Sequence, residues 1–503
     1  MGVRCAESFF GGFPLVTSTG AVKTGDVVDG APNGQWGRSA ALVAVAVILA
    51  GVVPVTLVGQ IEDVGRSDAW IFTLSIIVWG GIRLAWLIVS GAPRLFDFFF
   101  WMFCYIFMGI APTVQIRSGV TSRTTPGIDE GLYVPTALLV CAGLLTYEVF
   151  RAVWIGRERR RATGERSGLV EGGEVIAQVD RSRTLLLVGF GLLASAYFLA
   201  SVGPAALLGS REASFDARNA AWPDPAVRSI MYALAIYPLL VGAGALAQLR
   251  RGARGLPIAR WYLAGLVACV VVLLLIVNPV GSARYTFGTV AFALICYAGA
   301  MLTPQRVRIA LAGTLGAFLF LFPLADAFRS DEVNLTRNGF FGEYMGNPDY
   351  DAFWQVANGF SFWVDGLVIP LRQILGSALF WVPRSLWADK PTDTGILLAQ
   401  YRGYSFDNLS APLWAELLVN GGLIALIVGF ALVGIGLRFM DTRLLLSFAS
   451  GGLWSIVGAI FPVYMTILMR GSLLQATGAM AVAVACVLVI RSRPSRPGAA
   501  QLE

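Results

Sequence analysis

Apolar residues occur along the chain in long blocks that are separated by shorter polar segments. An α-helix needs about 20 apolar residues to cross the hydrocarbon core of a bilayer. The blocks predict an all-α polytopic integral membrane protein with about 12 transmembrane helices, so that both chain termini lie on one side. The predicted spans lie near residues 39–59, 69–91, 96–117, 132–154, 184–202, 229–248, 261–279, 287–302, 309–328, 412–437, 444–464 and 471–490.

One segment between the spans is much longer than the others, residues 329–411. Loops of this length are usually functional, and its helical signals predict one large external loop that contains short helices. Residues 366–382 are apolar apart from Arg372 and Gln373, which predicts a re-entrant or interfacial helix lying on the outer surface. If that segment instead spanned the membrane, the last three spans would reverse their direction.

These boundaries divide the chain into five parts. They are a cytoplasmic tail predicted to be disordered, a membrane domain with nine spans, the external loop, a membrane domain with three spans and a second cytoplasmic tail. Their ranges are 1–38, 39–328, 329–411, 412–490 and 491–503.

Arginine is distributed unevenly between the two sides of the predicted bundle. Five groups of arginines all fall on one side: those of the links 155–183 and 249–260, the pair Arg306 and Arg308, the pair Arg438 and Arg443, and the C-terminal arginines. Cytoplasmic loops are enriched in Lys and Arg, so this side and both termini are assigned to the cytoplasm. Nearly all the positive charge is Arg, and Ala and Gly are abundant. This usage favours a GC-rich bacterial genome and therefore a bacterial plasma membrane.

The composition supports a membrane protein and excludes several kinds of site. Hydrophobic residues make up 56% and charged residues 14% of the 503 residues, and the mean hydropathy is +0.69. Soluble domains carry about 25% charged residues. The net charge of +7 therefore reports arginine-rich loops rather than a nucleic-acid surface. The chain has no histidine, and five of its six cysteines lie in apolar stretches. The sequence consequently predicts no metal site and no cofactor.

The strongest local signal is the run 381–395 in the long loop. Its two prolines fix the backbone, so that Arg384 and Lys390 project from a constrained turn between Trp381 and Trp387. Arg offers a planar fork for two phosphate oxygens, and Lys a compact charge. Indole faces suit the apolar faces of sugar rings. The alternative interpretation is an interfacial belt with cations that reach toward the headgroups.

Other charged residues stand beside or within the predicted spans. Arg284 lies between two glycines at the external end of span eight, where an ordinary turn is the alternative. Glu416 lies about one turn into span ten, where a carboxylate faces a cavity or a cationic partner. A salt bridge that orders the loop is the alternative interpretation of Glu416. Asp326 and Arg329 are three residues apart at the outer end of span nine.

Four segments resemble the O-antigen polymerase-like proteins (the Wzy class of oligosaccharide repeat unit polymerases). VPRSLWADKPTDTG is similar to a segment of the large external loop of that family, and SARYTFG to a segment that follows a middle span. LWAELLVNGGLIALIVGFALVGIGLR is similar to the family's Glu-bearing helix after the loop. FDFFFWMFCYIFMGIAPTVQ is similar to its aromatic early span. The resemblance covers the organisation of roughly residues 90–440.

The resemblance implies an inverting, metal-independent glycosyltransferase that joins oligosaccharide units carried on polyprenyl pyrophosphate, at the outer face of the plasma membrane. A chain-length regulator is a further partner that the resemblance leaves open. The related O-antigen ligases depend on a histidine at their outer site, and this chain has none. That difference favours a polymerase over a ligase.

The resemblance and the local signals together give a set of predicted roles. The cations are predicted to hold the donor's pyrophosphate, a carboxylate to accept the proton of the acceptor hydroxyl, and aromatic residues to contact sugar. The predicted cations are Arg284, Arg384, Lys390, Arg372 and Arg402; the carboxylates, in order of preference, are Glu416, Asp393 and Asp326; the aromatic residues are Trp381, Trp387 and Tyr401.

Two other classes of protein compete with this interpretation. A flippase or transporter of lipid-linked sugars fits the number of spans, but transporters gather polar groups near the middle of the membrane. A non-catalytic scaffold for cell-envelope synthesis would use the loop as a docking surface, since Arg and Trp are also enriched at interfaces.

Overall fold

The computed structural model describes residues 33–165, 178–321 and 339–492. The chain separates into two units, Met1–Ala41 and Leu42–Glu503; all the described helices lie in the second, apart from residues 37–41 at the start of the first helix. Secondary structure in the described residues is helical, apart from one isolated β-bridge between Val179 and Arg491.

Eighteen helices are numbered here in chain order. They are α1 Gly37–Gln60, α2 Ala69–Ser90, α3 Leu95–Arg117, α4 Tyr133–Glu165, α5 Arg181–Val202, α6 Pro204–Leu208, α7 Arg211–Ala221, α8 Pro225–Gly252, α9 Ile258–Ile276, α10 Arg284–Ile295, α11 Pro304–Gly316, α12 Gly339–Gly346, α13 Ala352–Val364, α14 Arg372–Ala378, α15 Thr394–Arg402, α16 Leu413–Ser450, α17 Leu453–Arg470 and α18 Leu473–Val489.

Within the described residues, nine helices are long and apolar enough to cross a membrane: α1–α5, α8, α9, α16 and α17. They identify an α-helical membrane protein and match nine of the twelve predicted spans. The last predicted span corresponds to the shorter apolar helix α18. Predicted spans eight and nine correspond to α10 and α11, whose helical turns continue to Ala300 and Leu321.

The predicted boundary between spans ten and eleven is wrong. The helix α16 continues without a link through Arg438 and Arg443 to Ser450, and the chain turns at Gly451 and Gly452 instead. Arg438 is accommodated because its guanidinium donates to Glu158 of α4 at 2.7 Å, and the guanidinium of Arg443 lies over the ring of Phe439. Paired in this way, Arg438 does not end the helix.

The helix α3 forms the centre of the bundle, since every residue from Leu95 to Arg117 is buried. Its first turn is bound by Asp441 of α16, which accepts the backbone N–H groups of Phe96 and Asp97 at 3.0 Å each. Asp97 also contacts Arg83 and Arg151, both at 2.9 Å. These charges are buried but mutually paired, which is the condition for charge inside an apolar bundle.

The bundle has two ends, which are named here for use below. The loop face carries α13, α14 and α15, and the helices α4, α10, α16 and α18 begin there. The arginine-rich face is the opposite end, with Arg157, Arg250, Arg254, Arg306 and Arg491. On this face the start of α5 meets the end of α18, since Asp180 N–H donates to Ile490 O at 2.9 Å.

The predicted interfacial segment 366–382 contains only the seven-residue helix α14, which is too short to cross a bilayer. Its outward side is apolar and exposed, with Leu367, Ile369 and Leu375 each about half exposed. Asn420 of α16 fixes the start of α14, because its Oδ1 accepts Ile374 N–H at 3.0 Å and its carbonyl accepts Leu371 N–H at 2.9 Å.

A break in α16 makes this attachment possible. Gly421 and Gly422 leave the helical conformation, and Gly422 has a φ of +61°, which a side chain would strain. A Cβ atom at Gly422 would also clash with the indole of Trp363. The break frees the Asn420 carbonyl from the helix ladder, so that it can accept a hydrogen bond from the loop.

Candidate functional site

Two carboxylates, Asp349 and Asp351, stand just before α13 at the loop face. Their placement follows from the local sequence, since Asn347 Oδ1 accepts the N–H of Asp349 at 3.0 Å and Pro348 begins a short 3₁₀ turn. Asp351 then leads into α13 and is only 2% exposed. A buried carboxylate requires hydrogen-bonding or cationic partners.

Arg284 and Arg470 supply those cationic partners from two different helices, α10 and α17. Arg284, the first residue of α10, lies 3.3 Å from Asp349 Oδ2. Arg470, the last residue of α17, donates to Asp349 Oδ1 at 3.1 Å and to the Asp349 carbonyl at 3.0 Å. The same guanidinium lies 3.7 Å from Asp351 Oδ1 and over the ring of Tyr285. Asp349 therefore holds the two arginines together.

Asp351 also receives a hydrogen bond from the loop. Its Oδ2 accepts Ser410 N–H at 3.0 Å. Burial raises the pKa of Asp351, while Arg470 and the hydrogen bonds from Ser410 partly oppose that rise. A carboxylate with a raised pKa is a better proton acceptor than an exposed aspartate.

A line of polar side chains continues from Asp351 along the buried side of α13. Gln355 and Asn358 follow at helical spacing, and neither is exposed. Asn358 donates to Gln355 Oε1 at 3.1 Å and accepts from Arg402 Nε at 2.8 Å. The amide nitrogen of Gln355 and the Nη2 atom of Arg402 are buried and have no hydrogen-bond partner among the residues that the structure describes. Buried polar groups of this kind call for an explanation, and a bound polar ligand is one.

Gln115 of α3 binds three aromatic residues on either side of Asp349 and Asp351: Tyr344, Tyr350 and Trp354. Its amide nitrogen donates to the carbonyls of Tyr344 and Tyr350, at 2.9 and 3.1 Å. Its Oε1 accepts the indole N–H of Trp354 at 2.7 Å. The central helix of the bundle thereby anchors the segment that carries Asp349 and Asp351.

Two other predicted cations, Arg384 and Lys390, lie in the turn that follows α14, and Arg372 at the start of that helix binds the same turn. Arg384 donates to the carbonyls of Lys390 and Pro391, at 2.8 and 3.3 Å. Lys390 donates to the carbonyls of Phe380 and Val382, at 2.6 and 2.8 Å, and Arg372 to that of Asp389 at 3.0 Å. Burial and the neighbouring Arg384 lower the pKa of Lys390. These groups hold the turn in one conformation.

The predicted sugar-contacting residues do not form one surface. Trp381 is 67% exposed, while Trp387 is half-buried in the turn. Tyr401 packs edge-on against Phe362, and its hydroxyl binds Asp365 and Ser361. Tyr401 thus connects α15 to α13, whereas Trp381 faces outward.

The predicted proton acceptor Glu416 is fully buried and binds neutral groups. Its Oε1 accepts Leu473 N–H at 2.8 Å, at the start of α18, and its Oε2 accepts the Thr394 hydroxyl at 2.9 Å. Asp393 caps α15 by accepting Gly395 N–H at 2.8 Å, and burial raises its pKa. Both carboxylates join the loop to the last helices. Asp326 lies outside the described residues.

Sequence reasoning proposed Arg284 and Arg402 but missed Asp351, Asp349 and Arg470 as site residues. A signal for the carboxylates was present, because an Asn-Pro-Asp-Tyr-Asp run favours a tight turn with two acidic groups. Arg470 follows an apolar span directly, which is also unusual. Within the described ranges, no group of three or more His, Cys, Asp or Glu side chains is placed to hold a metal ion.

Comparisons of the chain with protein-family models, with curated proteins and with solved structures found no match.

Proposed function

We propose that this protein is a bacterial plasma-membrane glycosyltransferase that polymerises oligosaccharide repeat units carried on polyprenyl pyrophosphate. The loop face is then the outer, extracytoplasmic face, and both termini are cytoplasmic. The arginine-rich opposite end supports this orientation, because cytoplasmic ends of membrane proteins are enriched in arginine.

The observation that carries the proposal is the cluster of Arg284, Arg470, Asp349 and Asp351 where helices meet the loop. Two arginines from different spans converge on the carboxylates within 3.7 Å. Paired guanidinium groups suit a pyrophosphate, since each presents a planar fork of donors to phosphate oxygens. The buried donors of Gln355 and Arg402 extend the cluster with groups that suit sugar hydroxyls.

In the proposed reaction, an acceptor sugar hydroxyl attacks the anomeric carbon of the donor opposite to its pyrophosphate. The bond between that carbon and the pyrophosphate oxygen breaks, and the polyprenyl pyrophosphate leaves with the electron pair. Arg284 and Arg470 stabilise the charge that develops on the leaving oxygen. Asp351 accepts the hydroxyl proton. Inversion at the anomeric carbon follows from the direction of attack.

The assignment of the base differs from the one predicted from sequence. Both oxygens of Glu416 accept hydrogen bonds that join α15 and α18 to α16. Asp351 instead lies beside Arg470, which is a proposed pyrophosphate ligand. Asp351 therefore lies beside the proposed donor site, whereas the hydrogen bonds of Glu416 hold that carboxylate between helices, and this supports Asp351 as the base.

The deciding experiment is a reconstituted assay with polyprenyl-pyrophosphate-linked repeat units in EDTA, followed by gel separation of the products. A ladder of longer lipid-linked chains is expected from the wild type. Arg470→Ala should lower the rate at least 100-fold, in line with the loss of a group that stabilises transition-state charge. Arg384→Ala separately tests the predicted cations in the turn after α14.

The control is Asp407→Asn, because Asp407 is an exposed acidic residue of the same loop. It should leave the ladder unchanged. Movement of the lipid between leaflets without any ladder would identify a flippase and overturn the proposal. Transfer of single units to a lipid A-type acceptor without chain growth would identify a ligase-like transferase instead.

A further inference from the structure

A cavity of about 720 Å³ opens at the opposite end of the bundle from the Asp351 cluster. It lies between the end of α8, the start of α9 and the turn that follows α10. Its walls are mainly apolar and include Leu266, Val270 and Leu294. Its volume falls within the roughly 300–1,000 Å³ that is typical of sites for small ligands.

Four arginines surround this cavity: Arg250, Arg251, Arg254 and Arg306. None of them forms an ion pair with a carboxylate in the ranges 33–165, 178–321 and 339–492, and no acidic residue is among the cavity's lining residues. Within the same ranges, the guanidinium groups of Arg251 and Arg306 donate only to backbone carbonyls: those of Ala247 and Tyr297 for Arg251, and that of Gly299 for Arg306. Four like charges around one opening favour an anion there.

The helix α9 lines the apolar part of the cavity and also presents an exposed apolar surface. Val267 and Val271, which follow the lining residues Leu266 and Val270 along α9, are more than half exposed. Trp261, on the first turn of the same helix, is 71% exposed. Tryptophan is enriched at the level of the headgroups. The arginines are therefore at headgroup depth, and the apolar walls extend into the hydrocarbon.

We propose that this cavity binds an anionic glycerophospholipid from the leaflet on the arginine-rich face. Its phosphate lies among Arg250, Arg251, Arg254 and Arg306, and its acyl chains lie along Leu266, Val270 and Leu294. Basic pockets between transmembrane helices on the cytoplasmic side are known to bind anionic headgroups. The inference rests on this cavity alone and is independent of the proposed glycosyltransferase activity.

The test uses the full-length protein, delipidated in detergent and titrated with phosphatidylglycerol or with phosphatidylcholine of identical acyl chains. Native mass spectrometry counts the bound lipids at each concentration. The wild type should bind phosphatidylglycerol in preference to phosphatidylcholine. The double variant Arg254→Gln/Arg306→Gln should bind phosphatidylglycerol roughly 25-fold more weakly, at roughly fivefold for each arginine.

The matched control is Arg157→Gln/Arg260→Gln, which removes the same charge from exposed positions of the same face that do not line the cavity. It should retain the wild-type affinity, and both variants should elute as the wild type does in gel filtration. Equal weakening in both variants, or no headgroup preference in the wild type, would overturn the proposal.

Two further titrations separate the lipid from other phosphate sources. Millimolar inorganic phosphate should not displace phosphatidylglycerol, because it cannot occupy the apolar walls. Efficient displacement by phosphate would mean that the arginines form a simple anion site. Tighter binding of polyprenyl phosphate than of phosphatidylglycerol would show that the occupant is a carrier lipid, which contradicts the proposed glycerophospholipid.

Discussion

The carboxylate of Asp351 is buried, lies beside Arg470 and accepts a hydrogen bond from the Ser410 N–H. We expect Asp351→Asn to lower the rate of chain lengthening at least 100-fold, because the amide cannot accept the hydroxyl proton. The same substitution keeps the side-chain volume. The rate is measured from the product ladder, and a variant with more than half of the wild-type rate would exclude Asp351 as the base.

The pH dependence follows from the raised pKa of Asp351. A base works only when deprotonated, and a raised pKa keeps it protonated to a higher pH. The rate should therefore fall on acidification at a pH above the value near 3.9 at which an ordinary aspartate titrates. The measurement is a pH profile of kcat/KM for the wild type. An acid limb at or below the ordinary aspartate range would contradict the assignment.

For Glu416, the base predicted from sequence, we expect the opposite result to that for Asp351. We expect Glu416→Gln to retain activity per folded molecule but to lower stability by about 1–2 kcal/mol, because an amide can accept only one of the two donors, Thr394 and Leu473. Thermal unfolding in detergent measures the change, with Gln400→Ala on the exposed side of α15 as the control. A stable but inactive Glu416→Gln protein would restore Glu416 as the base.

Single residues show where sequence reasoning reaches its limit. The residue types were informative, since an arginine or a carboxylate beside an apolar span requires a partner. The identity of the partner was not available, because Arg284 and Asp349 are far apart in the chain and meet only after the helices pack. Glu416 matched a family motif and was therefore predicted to be the base. The packing supports Asp351 better in that role.

At the scale of elements, the helices α2, α3, α4 and α16 are joined by charge as well as by apolar packing. Asp97 contacts both Arg83 and Arg151 and accepts a hydrogen bond from Tyr147 at 2.8 Å. Removing one partner of a buried pair leaves an incompletely compensated charge, which costs several kcal/mol. This network therefore contributes to the register between the four helices.

We expect Arg151→Ala to lower the stability of the folded protein by about 3 kcal/mol, because Asp97 keeps only Arg83 as a cationic partner. Arg157→Ala, an exposed arginine two turns further along α4, is the control and should change stability by less than about 0.5 kcal/mol. Thermal unfolding of both variants in the same detergent measures the difference. Equal midpoints would mean that the network is energetically neutral.

The positions of the helices could be predicted from the sequence wherever a run of apolar residues alone determines a helix. The nine long helices match predicted spans because about 20 consecutive apolar residues are a strong signal. The predicted boundary near Arg438 was wrong because charged residues between two apolar blocks are typical of a link between two spans. Glu158, on a distant helix, neutralises that charge and allows α16 to continue.

At the scale of the whole molecule, the orientation in the membrane can be tested with single cysteines. Four described cysteines are buried and Cys141 is partly buried, so labelling of the native thiols should be low. After Cys5→Ser, we expect Leu386→Cys to react with a membrane-impermeant maleimide on intact cells. Arg157→Cys should react only after permeabilisation. Both parent positions are exposed, and the opposite pattern would invert the proposed orientation.

The contact between Arg470 and Asp349 also has a consequence for biogenesis. Arg470 closes α17, so the ribosome makes it long after Arg284, Asp349 and Asp351 have been synthesised. Until α17 inserts, Asp349 lacks one of its two cationic partners and Asp351 lacks Arg470. A chain arrested after α16 would expose this unsatisfied charge, which would make it a target for membrane quality-control proteases. The arginine pair can assemble only after α17 has been made, so the proposed transferase activity would require synthesis at least as far as Arg470.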